Sequence, residues 1–414
     1  MLLLPVSSVE GSSTGFLDAV FTATSATAVT GLIVRNTAEH WTHFGQTVIM
    51  ILIQIGGFGF MTTTSFVFLL LGKKLTLKDR ILIKEDLNSF HLSQVIKLTK
   101  YVILLTIIFE LLGTLFLFIY FYRFMSAARA LFFGLFHSIS AFNNAGFDIF
   151  GNSLENFTGS LYINLVISLL FIIGGLGFLV ISEIYRMKRF RDFSLHTKIV
   201  ISMTVFLILI SILLIFLFEF NNPRTIGNLD NADKLIASYF QAVTPRTAGF
   251  NTIPINYFRD VSLFFIIILM FIGASPGSTG GGVKTTTIAT LLIVVYNVIS
   301  RKEDIEIFEK RLKRKDIYKT LTIVVISLGI ISLVTIILNI TENFVFIRIL
   351  FEVISAFGTV GLSTGITPDL SIIGRILIIL TMFIGRVGPF TLAIAFGRRK
   401  SNKFKYPEED ILIG

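Results

Sequence analysis

Seven stretches of this chain, 45–71, 98–122, 161–185, 197–220, 261–299, 318–340 and 371–397, are dominated by apolar residues and are each long enough to cross a hydrocarbon core. Such a chain cannot cover its apolar surface with a polar shell. Only 15% of its 414 residues are charged, against roughly 25% in soluble domains, which excludes a soluble fold and also disorder. The net charge of +10 raises the question of a nucleic-acid partner. Its distribution answers it. Of 36 Lys and Arg residues, 24 fall in 72–97, 186–198, 301–319 and 398–405, the segments that alternate with the apolar stretches. By the positive-inside rule these four segments face the cytoplasm, and no nucleic acid is needed to explain the charge.

The segments on the opposite side, 15–43, 126–157, 224–257 and 341–367, each begin with an apolar stretch too short to span and continue into Gly, Thr and Asn. They read as re-entrant loops. The chain lacks Cys, and its one close His pair, His40 and His43 beside Trp41, reads as an interfacial segment rather than a metal site.

These loops repeat. Phe21 to Leu32, Phe136 to Phe147, Tyr239 to Phe250 and Phe351 to Leu362 each place an aromatic residue ten positions before a glycine, namely Gly31, Gly146, Gly249 and Gly361. Leu or Phe follows each glycine, and Ser stands six positions before it in three copies, with Val243 as the exception. A second landmark follows: Ile55-Gly-Gly-Phe-Gly, Ile173-Gly-Gly-Leu-Gly, Ile272-Gly-Ala-Ser-Pro-Gly and Ile384-Gly-Arg-Val-Gly begin 24, 27, 23 and 23 residues after the loop glycine. Two landmarks in register four times define a fourfold repeat.

The predicted fold is therefore an all-α polytopic membrane protein made of four span, pore loop, span units around a central cation pore. The units are 1–97, 98–196, 197–316 and 317–400, followed by a cytoplasmic tail at 401–414. Non-helical backbone at membrane depth is tolerated where it lines a polar cavity, and converging carbonyls can replace the hydration shell of a cation. Carbonyls that all point to one side need dihedrals that favour glycine. Close helix packing by small residues is the competing reading of these glycines, and it suits the second landmark better than the first.

With these residues in hand, the chain resembles the Trk/Ktr/HKT superfamily of potassium transporters, and most closely the KtrB-type membrane subunits of bacterial Ktr systems. The resemblance is carried by Phe136 to Phe147, Tyr239 to Asn251, Ile354 to Leu362 and Met382 to Pro389, and it covers nearly the whole chain. It implies a potassium filter made chiefly of the carbonyls of Ala28, Val29, Thr30 and Gly31; Asn143, Asn144, Ala145 and Gly146; Arg246, Thr247, Ala248 and Gly249; and Gly358, Thr359, Val360 and Gly361. Family members carry a full span before the first pore helix, whereas here only Met1 to Val6 matches its tail, so the first outer helix is expected to be largely missing from this chain.

The third unit carries Gly273 to Thr287, including Ser275, Pro276, Gly277, Gly280, Gly281, Gly282 and Lys284, within an apolar stretch. Proline and so many glycines cannot sustain a helix, so this span is expected to break. The segment is one residue out of register with a phosphate-binding P-loop and lacks the βαβ context such a loop needs. By resemblance it is an intramembrane gating loop beneath the filter, and Arg386 in the last span is an electrostatic barrier beside it. A packing arginine satisfied by loop carbonyls is the other reading of Arg386. Glu110, Glu183 and Glu352 lie in or near spans without a motif, Glu183 near a cytoplasmic end, and Asp18 and Asp148 stand on the outer side, where a carboxylate either concentrates cations or is simply solvated. Arg246 is expected to point away from the pore and anchor its loop.

The expected function is potassium uptake across the bacterial plasma membrane, with a sodium-permeable or weakly selective channel as the alternative; Gly31 at the first filter position favours potassium. An enzyme would need a convergent constellation of His, Asp, Glu or Ser on facing spans, and none is found. K+ is the transported ion and no organic cofactor is expected in this chain. The basic segments can dock a soluble partner or membrane lipid. By resemblance sodium is an activator, the subunit is a homodimer, and the partner is a cytoplasmic ring of nucleotide-binding RCK subunits.

Overall fold

The structure, a computed structural model, describes residues 1–59, 95–302 and 304–388, with Thr391 and Glu409. The basic segment at 398–405, most of that at 72–97, the tail at 401–414 apart from Glu409, and the far ends of the first and last predicted spans lie outside the described residues. Within them, the chain order is α1 (Phe16–Thr27), α2 (Thr37–His40), α3 (His43–Phe58), α4 (Val95–Phe121), α5 (Ala127–Phe142), α6 (Leu161–Leu176), α7 (Phe178–Arg186), α8 (Leu195–Glu219), α9 (Asn231–Val243), α10 (Asp260–Phe271), α11 (Thr285–Ile299), α12 (Arg314–Thr341), α13 (Phe346–Gly358) and α14 (Ile372–Val387). A two-stranded hairpin, β1 (Glu306–Ile307) and β2 (Lys310–Arg311), lies in the basic segment between α11 and α12, with Glu306 opposite Arg311.

Three stretches, Thr99–Phe121, Leu195–Glu219 and Arg314–Thr341, are long and apolar enough to cross a membrane. Their outward faces carry rows of exposed apolar residues at helical spacing, such as Leu209, Leu213 and Leu217 on α8 and Leu333, Ile336 and Ile340 on α12. Water would not tolerate these rows; lipid is their natural solvent. The chain is accordingly a multi-pass membrane protein.

The inner layer consists of four short helices, α1, α5, α9 and α13, whose 12, 16, 13 and 13 residues cannot cross a bilayer. Each is packed inside the ring of spans, and Phe21, Phe136, Phe240 and Phe351 are buried on their faces. In the third unit the buried aromatic is thus Phe240 rather than Tyr239. Thr244 likewise takes the place expected for Val243: its hydroxyl donates to Phe250 O, as Ser140 Oγ donates to Phe147 O at 2.7 Å. The third helix is one residue closer to its glycine than the other three, which explains the missing serine.

The second landmark has two mechanical roles. Its early glycine removes a side chain where the second span crosses the end of the pore helix: a Cβ on Gly56, Gly174 or Gly385 would collide with the carbonyl of Thr27, Phe142 or Phe357. Its last glycine adopts a positive φ in every unit, 78° at Gly59, 96° at Gly177, 66° at Gly277 and 89° at Gly388. The helix stops directly before Gly59, Gly177 and Gly388, whereas in the third unit it has already ended at Phe271. The predicted continuous span 161–185 is therefore corrected: α6 and α7 meet at Gly177 with a 97° bend. The break is fixed by Phe178 N–H donating to Gly277 O at 2.9 Å, which brings the third unit's loop against the corner. In the third unit the helix ends at Phe271 and the next begins at Thr285.

The first and fourth units meet through Asp18 on α1, whose carboxylate accepts from Arg375 Nη1 on α14 at 2.6 Å and from Arg35 Nε at 2.8 Å. Asp18 is thus neither solvated nor free to concentrate cations. Replacing Gly174 by Ala should destabilise the protein by about 1–3 kcal/mol through overpacking. The same change at Gly329 on α12, where an added Cβ meets nothing within 4 Å, should be neutral or mildly stabilising, and thermal unfolding of the two variants in detergent checks the contrast.

Candidate functional site

Each pore helix ends by handing the chain to a short segment with a constant backbone signature. The residue two before the glycine lies in the left-handed region, with φ 55° at Val29, 59° at Asn144, 73° at Thr247 and 51° at Thr359. The glycine itself follows with φ 94° at Gly31, 68° at Gly146, 77° at Gly249 and 91° at Gly361. Three of the four left-handed residues are β-branched, for which this conformation costs on the order of 1–3 kcal/mol each. The intervening residue is tied back to the helix: Thr30, Ala145, Ala248 and Val360 donate their N–H to the carbonyls of Ser25, Ser140, Thr244 and Ser355 at 2.8, 2.8, 3.0 and 2.9 Å. Sequence reasoning asked for glycine at one strained position per loop and missed the second, because that position keeps its side chain.

The four segments close a ring. A Cβ on Gly31 would meet Ala145 O and stand 3.2 Å from Gly146 Cα; one on Gly146 would lie 2.9 Å from both Ala248 O and Gly249 Cα. One on Gly249 would meet Val360 O and lie 3.4 Å from Gly361 Cα, and one on Gly361 would meet Thr30 O and lie 3.0 Å from Gly31 Cα. Unit one thus touches two, two touches three, three touches four and four touches one, backbone against backbone, with the carbonyls before the glycines on the same ring. The C-termini of four pore helices point toward it, and their partial negative charges favour a cation.

The side chains of Asn143, Asn144 and Arg246 are each engaged with another part of the protein. Asn143 Nδ2 donates to Glu110 Oε1 on α4 at 2.8 Å, which gives that buried acid a partner. Asn144 Nδ2 donates to Thr247 Oγ1 at 2.8 Å, joining the second and third units. The half-buried Arg246 reaches Thr204 Oγ1 on α8 at 3.2 Å with its guanidinium. Glu183 accepts from Ser194 N at 2.5 Å and caps the start of α8.

On one side of the ring a cavity of about 310 Å³ is lined by all four glycines together with Asp148 and Glu155. Burial pushes the Asp148 carboxyl up, partly offset by the N–H groups of Gly151 and Phe150; burial also raises Glu155, Asn251 opposes this, and Asp148 adds to it. On the other side lies the loop between α10 and α11. Gly281 N–H donates to Thr359 Oγ1 at 3.0 Å, Thr279 Oγ1 donates to Phe142 O at 3.2 Å, and Ser275 N–H donates to Gly175 O at 3.0 Å. Gly280 packs on Thr247, Gly282 on Gly358, Gly273 is paired with Val283, and Lys284 Nζ folds back onto Gly280 O at 2.6 Å. Arg386 donates to Thr279 O and Gly56 O, so it clamps this loop to the first unit's landmark. Pro276 and Gly277 present their carbonyls to the Gly177 corner.

A pore ring of backbone carbonyls, assembled by one chain from four units, is what a cation-transport fold needs. The family model described as TrkH, cation transport protein, matches residues 3–405. The chain belongs to this family. It is 45% identical over its whole length to the Ktr system potassium uptake protein B of Bacillus subtilis, covering 93% of that relative, which fits the KtrB-type resemblance. It is 40% identical, again over its whole length and 93% of the relative, to the potassium/sodium uptake protein NtpJ of Enterococcus hirae. In fold it matches the crystal structure of the potassium transporter TrkH from Vibrio parahaemolyticus at a TM-score of 0.73 and 18% identity, over 93% of this chain and 79% of that one.

Gly249→Ala places a Cβ against Val360 O at φ 77° and should cut cation flux at least about tenfold, the strain being on the order of 1–3 kcal/mol, while the protein stays folded by gel filtration. Acidification of the outer solution should weaken cation capture at a higher pH than ordinary carboxylates would require. The raised carboxyls of Asp148 and Glu155 lose their charge as pH falls through their elevated pKa values, and the effect should vanish in the Asp148→Asn, Glu155→Gln double variant.

Proposed function

We propose that the chain is the potassium-conducting membrane subunit of a Ktr-type uptake system, moving K+ down its electrochemical gradient through the four-glycine ring. The observation that carries this is the cyclic contact of Gly31, Gly146, Gly249 and Gly361 with their neighbours' carbonyls. Support for potassium as cargo comes from the printed names of the relatives, Ktr system potassium uptake proteins among them. Sodium permeation is the second reading, supported by the potassium/sodium uptake protein of Enterococcus hirae.

In this reading the loop from Gly273 to Lys284 is the gate. Its seat under Thr247 and Thr359, held by single hydrogen bonds and by the Arg386 clamp, suits a plug that moves aside without disturbing the filter. Arg386 then acts by holding the plug, as a carbonyl-satisfied arginine, as well as by its charge. The basic segments at 186–198 and 301–319 are the docking face for a cytoplasmic nucleotide-binding ring, and the working unit is a homodimer with sodium as an activator.

Expression with its partner should restore growth of a potassium-uptake-deficient bacterium on low potassium, and Gly249→Ser should abolish the rescue; failure of the intact gene would sink the reading. Deleting 274–283, or replacing Thr359 by Val to remove the bond to Gly281 N–H, should raise basal K+ flux in liposomes. Unchanged or lost flux in folded protein would argue against a gate.

A further inference from the structure

The chain that leaves each filter glycine is tied back to its own pore helix by a buried polar side chain. In the fourth unit Glu352 on α13 accepts from Ser363 Oγ at 2.8 Å and from Thr367 Oγ1, and Ser363 and Thr367 stand two and six residues beyond Gly361. In the second unit His137 on α5, nine before its glycine as Glu352 is, accepts from Ile149 N–H at 3.4 Å, three residues beyond Gly146. In the third unit the anchor is Gln241 on α9, eight before its glycine, as the one-residue shift requires. Its amide, turned with the oxygen toward the loop, accepts from Thr252 N–H at 3.0 Å and Ile253 N–H at 3.1 Å. The first unit has Thr22 at the repeat position, whose hydroxyl instead bonds Asp18 O at 2.9 Å. There the tie comes one turn earlier, from Asp18 to Arg35, four residues beyond Gly31.

We propose that Asp18, His137, Gln241 and Glu352 are positioning residues that hold the outer end of the filter at the spacing which discriminates among alkali cations, with Glu352 the strongest of them. The argument is mechanical. The filter's inner end is tied to the helix by the N–H before each glycine, and Ser25, Ser140, Thr244 and Ser355 hold the glycine's own N–H or the carbonyl just past it. Farther out, Asp18, His137, Gln241 and Glu352 tie the exit strand to its own pore helix, so the outer width of the ring depends on them. Three chemically different side chains, His137, Gln241 and Glu352, perform one tie at one place in the fold, and Asp18 performs it one turn earlier. Glu352 has no part in the helix's own bonding, is fully buried, and spends its carboxylate on two hydroxyls of the exit strand. Charge-assisted bonds are the strong class, and a carboxylate buried without them would be costly. Ser363 also lines the outer cavity, so movement of this strand changes the mouth itself.

The inference rests on the proposed potassium transport, and the test separates the two. Purified full chain in liposomes is assayed for K+ uptake and for its inhibition by Na+. Wild type showing no preference for K+ would sink the transport reading; the anchors are judged on the variants against a selective wild type. Glu352→Ala should lower the K+/Na+ preference about tenfold, as expected for losing a charge-assisted tie, Gln241→Leu should lower it by a smaller factor of about three, as expected for losing neutral hydrogen bonds, and both should raise KM for K+ more than they lower maximal rate. Glu352→Gln, which keeps an acceptor, should recover most of the preference, and Thr22→Val should leave it unchanged. If Glu352→Ala fails to fold, Gln241→Leu and Glu352→Gln carry the comparison. Folded variants with the wild-type ion ratio, whatever their total flux, would overturn the proposal.

Discussion

Everything in this protein follows from the approach of four backbone segments so close that no side chain fits between them. At Gly31, Gly146, Gly249 and Gly361 an added carbon would collide with the neighbouring unit's backbone, and each glycine lies at a positive φ that other residues adopt only under strain. A ring of this kind cannot stabilise itself. Unpaired carbonyls repel, and the strained residues before the glycines add to the cost. The surrounding layers exist to compress the ring, through pore helices held by buried aromatics and spans that touch those helices at glycines.

The same economy of space governs the second landmark. Where Gly56, Gly174 and Gly385 cross the pore-helix ends, small residues let two helices meet at the carbonyl itself. A few residues later a positive φ turns the chain aside, and at Gly177 this brings the corner against the third unit's loop. Arg386 connects the two features, since its guanidinium reaches both that loop and Gly56. A charge in the last span thereby donates to two carbonyls, which agrees with the cost of an unpartnered charge at that depth.

The four units are similar but not equivalent. Ser25 and Ser355 accept from the filter glycine's N–H, whereas Ser140 and Thr244 donate to the carbonyl just past it. The third unit is one residue out of step, and among the described residues the non-helical loop beneath the ring comes from it. A single-chain pore permits such asymmetry because each quarter can be tuned separately, which an assembly of four identical subunits cannot do.

The sequence by itself determined the membrane class, because that rests on the local physics of apolar length, and it displayed the repeated spacing of Gly31, Gly146, Gly249 and Gly361 and a Gly and Pro run from Gly273 to Thr287 that cannot remain helical. Only the tertiary structure decided the rest. The bend at Gly177 depends on the carbonyl of Gly277, and the strained side-chain-bearing residues Val29, Asn144, Thr247 and Thr359 are held by neighbours distant in sequence. Asp18 read as an outer acid until Arg375, 357 positions away, was found against it. Glu352 and His137 stand at one repeat position, but the letters E and H do not align, and Gln241 is displaced by a residue. Their shared role appears only when the exit strands fold back, because a hydrogen bond is set by where two atoms meet, and spacing along the chain fixes that only within a helix or a turn.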